Sequence, residues 1–346
     1  MSGEPAALHW ADMGEAGALL GLRSLYLTHR WCGRWPFRLL LFPVMLYFYA
    51  GRRIARRASL EYLERLLGRA GWLGRHARSF RHFWAFGECL LDKALAWSGE
   101  LALDRVKMHG LEPLLARLAA GQGALLLVAH LGNLEVSRAL ARRRPEVRLT
   151  VLTHTKHAER FSRVLAALDP ESQAGVLQVT ELTAATGVIL GERVARGEVV
   201  VMAADRVPVS AEPRVVAAHF LGAAAPLPVG PYILAGLLAC PVYLLFCPRL
   251  SDGYHLFFEP FADPLALPHA GREAAIRRAA AGFAARLEHY CRLAPLQWFN
   301  FYPFWATPRG RLSTEASGLG CRLFRQESCS DRHSGDRSSR GRRGHA

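Results

Sequence analysis

The sequence predicts an α/β fold: a mostly parallel central sheet flanked by helices, with an N-terminal helical membrane-associating segment in front of it. Three observations carry this expectation. After Val106, short apolar runs alternate with helix-like segments, the pattern of strand–helix–strand units. The runs are continuously apolar rather than alternating, as strands covered on both faces are. Residues 23–100, in contrast, read as helices throughout.

Residues 1–22 are small and mixed and are expected to form a loose lead-in. The helical region, residues 23–100, opens with the apolar stretch WPFRLLLFPVMLYFYA (35–50) and continues with LEYLERLLGRAGWL and SFRHFWAFGECLLDKALAW. In the last of these Phe80, Phe83, Trp84, Cys89 and Leu90 follow a roughly helical repeat, so one face should pack on a core. An α/β core is expected over residues 101–308. It begins with the helix LLARLAAGQ, closed by Gly121, and the buried strand ALLLVAH (124–130), followed by the helix NLEVSRALARRR. Further strands are expected at 147–154 and 175–180, a helix at about 186–196, and a fourth strand, EVVVMAAD, at 198–205. The helix PYILAGLLA, the strands VYLLFC and YHLFFEPF, and a closing helix at about 271–292 complete the core. Residues 309–346 are rich in Arg, Ser and Gly without apolar periodicity, and are expected to be a basic disordered tail.

Composition narrows the partners. Forty-four Lys and Arg against 29 Asp and Glu give a net charge of +15, carried almost entirely by arginine, since Lys93, Lys107 and Lys156 are the only lysines. The tail holds nine arginines against four acids, which leaves about +10 on the body. Such charge favours anionic lipid, acidic proteins or nucleic acid. No nucleic-acid-binding module is recognisable, so specific nucleic-acid binding is not expected. The seven cysteines include no CxxC pair and no Cys–His spacing suited to zinc, so they read as free thiols, several buried, and no metal is expected.

No cleavable signal peptide is evident in the first 22 residues. The stretch at 35–50 falls short of the ~20 apolar residues that a span needs, and Arg38 and Pro43 interrupt it. It reads as an element lying in the membrane interface or dipping part-way in, with a buried helix of the core as the next expectation and a full span as the last. Thirteen arginines against Glu61 and Glu64 between Arg23 and His82, with Trp31, Trp35, Tyr47 and Tyr49, suit an anionic bilayer face.

The residues that carry chemistry lie in AHLGNLE (129–135). A histidine, His130, stands at the carboxyl end of a buried strand, where ligands of parallel sheets bind. Gly132 and Asn133 permit a tight turn, and Glu135 falls in the first turn of the next helix. A neutral imidazole can accept a proton at pH 7, and a carboxylate on its other nitrogen would fix its tautomer. The turn is expected to bring Glu135 to His130, and backbone N–H groups around Gly132 and Asn133 are expected to face a developing oxyanion. No G-x-S-x-G elbow and no nearby serine or cysteine supplies a nucleophile, so an acceptor hydroxyl or amine is the expected attacking group. Read from spacing alone, His130 and Glu135 could equally be a strand-end histidine and a helix-start carboxylate. THTKHAERF (153–161), with His154 and His157, is a weaker candidate that reads as a loop or a ligand contact, and Phe161 and Phe220 read first as core residues.

His130, Gly132, Asn133 and Glu135 resemble the H-x-G-N-x-E motif of the bacterial lipid A biosynthesis acyltransferases, within the lysophospholipid-type acyltransferase superfamily. VVVMAADR (199–206), HFLGAAAPLPVGPYILAGLLACPVYLLF (219–246) and QWFNFYPFW (297–305) resemble later blocks of that family in the same order, the last that of one branch. Leu134 stands where many relatives carry tryptophan, and Arg206 where a polar amide is common. The resemblance implies an acyltransferase at the cytoplasmic face of the bacterial inner membrane, peripheral or monotopic. It implies His130 and Glu135 as the catalytic pair, and Asp205 and Arg206 in the same cleft with Gly132 and Asn133. The donor would be an acyl thioester on acyl-carrier protein or coenzyme A, with no further cofactor, and the acceptor a lipid, glycolipid or metabolite. The competing expectation is a non-catalytic protein on the same fold that binds anionic lipid or nucleic acid.

Overall fold

A computed structural model describes residues 27–144, 146–154, 176–179, 184–207 and 213–306. The expected lead-in (1–22) and basic tail (309–346) lie outside the described residues, as do the side chains of 153–161.

Three helices come first: α1 (Arg34–Gly51), α2 (Arg53–Leu67) and α3 (Trp72–Trp97). The apolar stretch forms α1 and stays helical through Pro43. Phe37, Leu41 and Met45, at helical spacing, are buried against Leu91 and Leu95 of α3. Gly87 makes this contact possible, because a Cβ there would stand 2.8 Å from Leu41 Cδ1 and 3.0 Å from Met45 Sδ. The opposite side of α1 leaves Trp35, Leu39, Phe42 and Leu46 exposed. Among the described residues no helix is long and apolar enough to cross a membrane.

The α/β core follows as β1 (Lys107–His109), α4 (Glu112–Ala119), β2 (Ala124–Gly132), α5 (Leu134–Arg142), β3 (Leu149–His154), β4 (Val176–Val179), α6 (Ala184–Ala195) and β5 (Val199–Ala203). The hairpin β6 (Val215–Phe220) and β7 (Ala223–Pro228), α7 (Gly230–Leu238), β8 (Val242–Cys247), β9 (Arg249–Leu250), β10 (Gly253–Ala262) and α8 (Arg272–Leu293) complete it. The main sheet runs β1-β10-β8-β2-β5-β3-β4. All of its pairs along that path are parallel except β8 with β10. The expected mostly parallel sheet flanked by helices is thus present. Three strands were not expected: the short edge strand β1, the two-residue β9, and β7, which pairs with β6 across a turn that places Leu221 and Gly222 at φ 50° and 80°.

β2 is the axis of the core. Its side chains alternate between two buried layers. Leu125, Leu127, Ala129 and Leu131 pack with Phe283 and Leu287 of α8, while Leu126 and Val128 pack with Val136 and Ala139 of α5. β5 and β8 flank it on either side, with Val128 opposite Ala203 and Leu245. Continuing the parallel register two residues beyond the Val128–Ala203 pair brings His130 level with Asp205.

Candidate active site

That register sets the central contact of the site. His130 Nδ1 lies 2.8 Å from Asp205 Oδ1, and the His130 backbone N–H donates to Asp205 Oδ2 at 2.8 Å. The indole N–H of Trp298 donates to the same Oδ2 at 3.0 Å. A carboxylate only accepts, so Nδ1 of the imidazole carries the hydrogen and Nε2 has the lone pair. Among the described residues no hydrogen bond engages Nε2, and the His130 side chain is 34% exposed while that of Asp205 is 1% exposed.

The electrostatics favour a neutral ring beside a charged acid. Enclosure by protein and then the Arg206 guanidinium hold the imidazole below its ordinary value, against the pull of Asp205. Burial opposes ionisation of Asp205, but the His130 contacts and Arg206 outweigh it and hold the carboxyl below the usual range. Lys93 also lowers the imidazole, so its charge is felt at the ring. This lysine lies on the side of α3 that faces the strand–turn–helix segment. Cys89, Lys93 and Trp97 follow one another at four-residue spacing along one helix face. Cys89 Sγ donates to the Gly132 carbonyl at 3.6 Å and Trp97 Nε1 donates to Glu135 at 2.8 Å, so Lys93 sits between two anchors on the turn.

The turn departs from expectation in two respects. Glu135 does not orient the imidazole: its Oε2 accepts from Trp97 and from Arg138 Nη1 at 3.1 Å, and Asp205 holds the ring nitrogen that Glu135 was expected to hold. The backbone amides are also committed. Gly132 N donates to Gln297 O at 2.9 Å and Asn133 N to Cys247 O at 3.0 Å, which removes both as oxyanion donors. The physical reason is that the strand continues past His130. Its last residues pair with the closing segment, Leu131 bridging Trp298, and with the end of β8. Gly132 takes φ 72° there, and a Cβ would overlap the Cys247 carbonyl, so glycine is required by close approach as well as by conformation.

Asn133 is the N-cap of α5, its Oδ1 accepting from Glu135 N at 3.2 Å. Arg206 donates to the Phe299 carbonyl at 3.1 Å, beside Asp205. His130, Asp205 and Arg206 therefore share one end of the sheet, with Gly132 ending β2, Asn133 capping α5 and Glu135 fastening α5 to α3. Phe220 is a core residue, 1% exposed and stacked on Trp305. Among the described residues no group of three His, Cys, Asp or Glu side chains could hold a metal ion. Reading the sequence missed the partnership of His130 with Asp205, and the parts of Lys93 and Trp298. A usable signal existed for the first: ALLLVAH and EVVVMAAD are both apolar runs that end on a titratable residue.

A family model described as bacterial lipid A biosynthesis acyltransferase matches residues 89–307, a span that holds every residue of this site. A search of curated proteins gives no match.

Proposed function

Since the chain belongs to the bacterial lipid A biosynthesis acyltransferase family, and acyl transfer is the chemistry of that family, we propose that it moves a fatty acyl group from a thioester to a hydroxyl or amine, with His130 as general base. The observation that carries this reading is the imidazole at the strand end, its Nδ1 held 2.8 Å from a buried carboxylate and its Nε2 without a hydrogen bond among the described residues. As the acceptor oxygen or nitrogen attacks the thioester carbonyl, Nε2 takes its proton. When the tetrahedral intermediate collapses, the C–S bond breaks and the imidazolium returns that proton to the leaving thiolate. Asp205 fixes the tautomer and steadies the imidazolium. With the turn amides committed, the charges of Lys93 and Arg206, both felt at the ring, can balance the developing oxyanion or a phosphate of the donor.

The donor is an acyl-carrier protein or coenzyme A thioester. A body of about +10 suits an acidic carrier. The acceptor is a lipid, glycolipid or metabolite bearing a hydroxyl or amine. The site of action is an anionic bilayer face, the cytoplasmic side of the inner membrane. Trp35, Leu39, Phe42 and Leu46 fall within an arc of roughly 60° on α1 and are 74%, 67%, 50% and 48% exposed. Exposed Arg53 and Arg57 begin the next helix. An apolar wedge bordered by arginines is the chemistry of interfacial binding.

The test is mass spectrometry of lipids and metabolites from cells with and without the chain, and with His130→Ala. A product heavier by one acyl group, present with the native chain and lost with His130→Ala while the protein stays folded, is the expected result. Retention of that product by the variant would overturn the base assignment. A free fatty acid as the sole product would replace acyl transfer by thioester hydrolysis.

A further inference from the structure

The closing segment QWFNFYPFW touches each strand end that builds the site. Gln297 accepts from Gly132 N through its carbonyl, and its side chain brackets the backbone of Arg249: Arg249 N donates to Oε1 at 2.7 Å and Nε2 donates to Arg249 O at 2.5 Å. Phe299 N donates to the His130 carbonyl at 3.0 Å, and the Phe299 carbonyl accepts from Arg206. Between them Trp298 is 1% exposed and hydrogen-bonded at both ends. Its indole N–H donates to Asp205 Oδ2, and its carbonyl accepts from the Nε2 of His82, 3.0 Å away.

The His82 contact fixes Trp298 from behind. A carbonyl only accepts, so Nε2 of His82 bears hydrogen and its Nδ1 accepts from Ser59 Oγ at 3.0 Å. Ser59 in turn accepts from Ser79 Oγ at 2.8 Å. Burial holds His82 down to about 4, hence neutral, which this arrangement requires. The indole also lies against the rings of Tyr62, Phe220 and Phe304, so it cannot swing away from Asp205 without opening the core.

We propose that Trp298 is a positioning residue for acyl transfer: its indole N–H holds the Asp205 carboxylate in the one rotation that presents Oδ1 to the His130 ring. This rests on the reading of His130 and Asp205 as base and orienter. Oδ2 receives two donors, the His130 N–H and the indole, and Oδ1 is thereby directed at Nδ1. A carboxylate without the indole keeps one backbone donor and is free to turn. It also carries more of its charge toward the ring, which stabilises the imidazolium.

The test compares Trp298→Phe, which keeps an aromatic ring and deletes the N–H, with the native chain. The expected result is a fall in kcat of roughly 10- to 100-fold, the loss of one charge-assisted hydrogen bond, with KM within about twofold because no substrate contact is removed. The acid limb of kcat/KM is expected to move to higher pH. The charged or titratable groups facing the pair are Arg206, Lys93, Tyr232, Tyr302 and Cys291. Burial pushes the two phenols and the thiol far up, so the limb reports His130.

A packing role alone would lower thermal stability and leave the limb in place, and that result overturns the proposal. In an Asp205→Asn background Trp298→Phe should no longer lower kcat, and should raise it if anything because one N–H opposing the turned amide is gone, whereas independent effects would multiply. If His130→Ala and Asp205→Asn both stay active, the base–orienter reading fails. If both lose activity while Trp298→Phe keeps the native limb, only this inference fails. Should Trp298→Phe not fold, the native chain decides. With indole-15N labelling of its eight tryptophans, one resonance that is perturbed in Asp205→Asn must follow the His130 titration, and no such resonance would overturn the proposal.

Discussion

Replacing Asp205 by asparagine should inactivate the protein without unfolding it, and the hydrogen bonds of the carboxylate say why. Oδ2 is the target of two donors, the His130 N–H at 2.8 Å and the Trp298 N–H at 3.0 Å. In Asp205→Asn the amide oxygen must occupy that place. The amide NH2 then faces Nδ1 of His130, which can only accept from it. The ring is forced into the tautomer whose Nε2 carries hydrogen, and a protonated Nε2 cannot serve as base. Turning the amide over restores the ring tautomer but sets the NH2 against two N–H groups, losing two hydrogen bonds at about 1–3 kcal/mol each. The competent form is thereby reduced by roughly 10²–10³ or more, and the imidazolium also loses its neighbouring negative charge. The expected loss in kcat is roughly 10³–10⁴, about 4–5.5 kcal/mol.

The assay is acyl transfer from a radiolabelled or mass-tagged thioester to the acceptor found by product analysis, with circular dichroism and a thermal melt to certify folding. Glu135→Gln is the companion variant. The glutamine keeps an acceptor for Trp97 Nε1, and Glu135 makes no contact with the ring, so its kcat should stay within about tenfold of native. The reasoning is refuted if Asp205→Asn stays within tenfold while Glu135→Gln loses a thousandfold, since the orienting acid would then be Glu135.

Other outcomes follow from the same geometry. The half-maximal point on the acid side of kcat/KM should lie below pH 6.5, the ordinary imidazole value, because burial and Arg206 disfavour the charged ring and the neutral ring is the active form. Lys93→Met should lower kcat/KM by roughly 10² and move that same point upward, since a positive charge near the ring is removed. Folding stability should be highest above about pH 6.5 and decline as pH falls toward 4. The unfolded chain takes up a proton that buried His82 refuses, for a total of about 3 kcal/mol, and denaturant melts of His82→Gln should lose that part of the slope and keep the part that belongs to His130. A chain with Trp35 and Leu39 changed to serine should bind vesicles containing anionic phospholipid at least about tenfold more weakly in a flotation assay, with its thermal midpoint little changed because both side chains are exposed.

How much of this was legible in the sequence depends on whether a feature is local. β2, β5 and β8 could be read because strands buried on both faces leave unbroken apolar runs: ALLLVAH, VVVMA and VYLLFC. α8 could be read because Ala279, Phe283, Leu287 and Tyr290 repeat on one face. The hairpin β6–β7 was harder, since AAAPLP carries two prolines and little β-branching, and its strandedness comes from pairing with Val215–Phe220. β1 is three exposed residues whose pairing with His255–Phe257 lies almost 150 positions away.

The site divides along the same line. His130, Gly132 and Asn133 belong to one turn, and their roles in the backbone follow from neighbouring residues. Asp205 was visible as a strand-end acid, but its claim on His130 depends on β5 lying beside β2. Strand order in a parallel sheet is set by crossovers, and crossovers leave no mark in the spacing of residues. Glu135, only five positions from His130, was the natural partner on spacing. The chain instead continues β2 through Gly132 and starts α5 at Leu134, which aims the glutamate at α3 and the histidine at β5. The strand runs two residues further than ALLLVAH, and that length sets where α5 starts and so carries Glu135 away from the ring. The contact of His130 with Asp205 is therefore a property of the sheet and not of the motif. Variants that shift the β2–β5 register should consequently damage catalysis even where His130, Glu135 and the turn between them are left untouched.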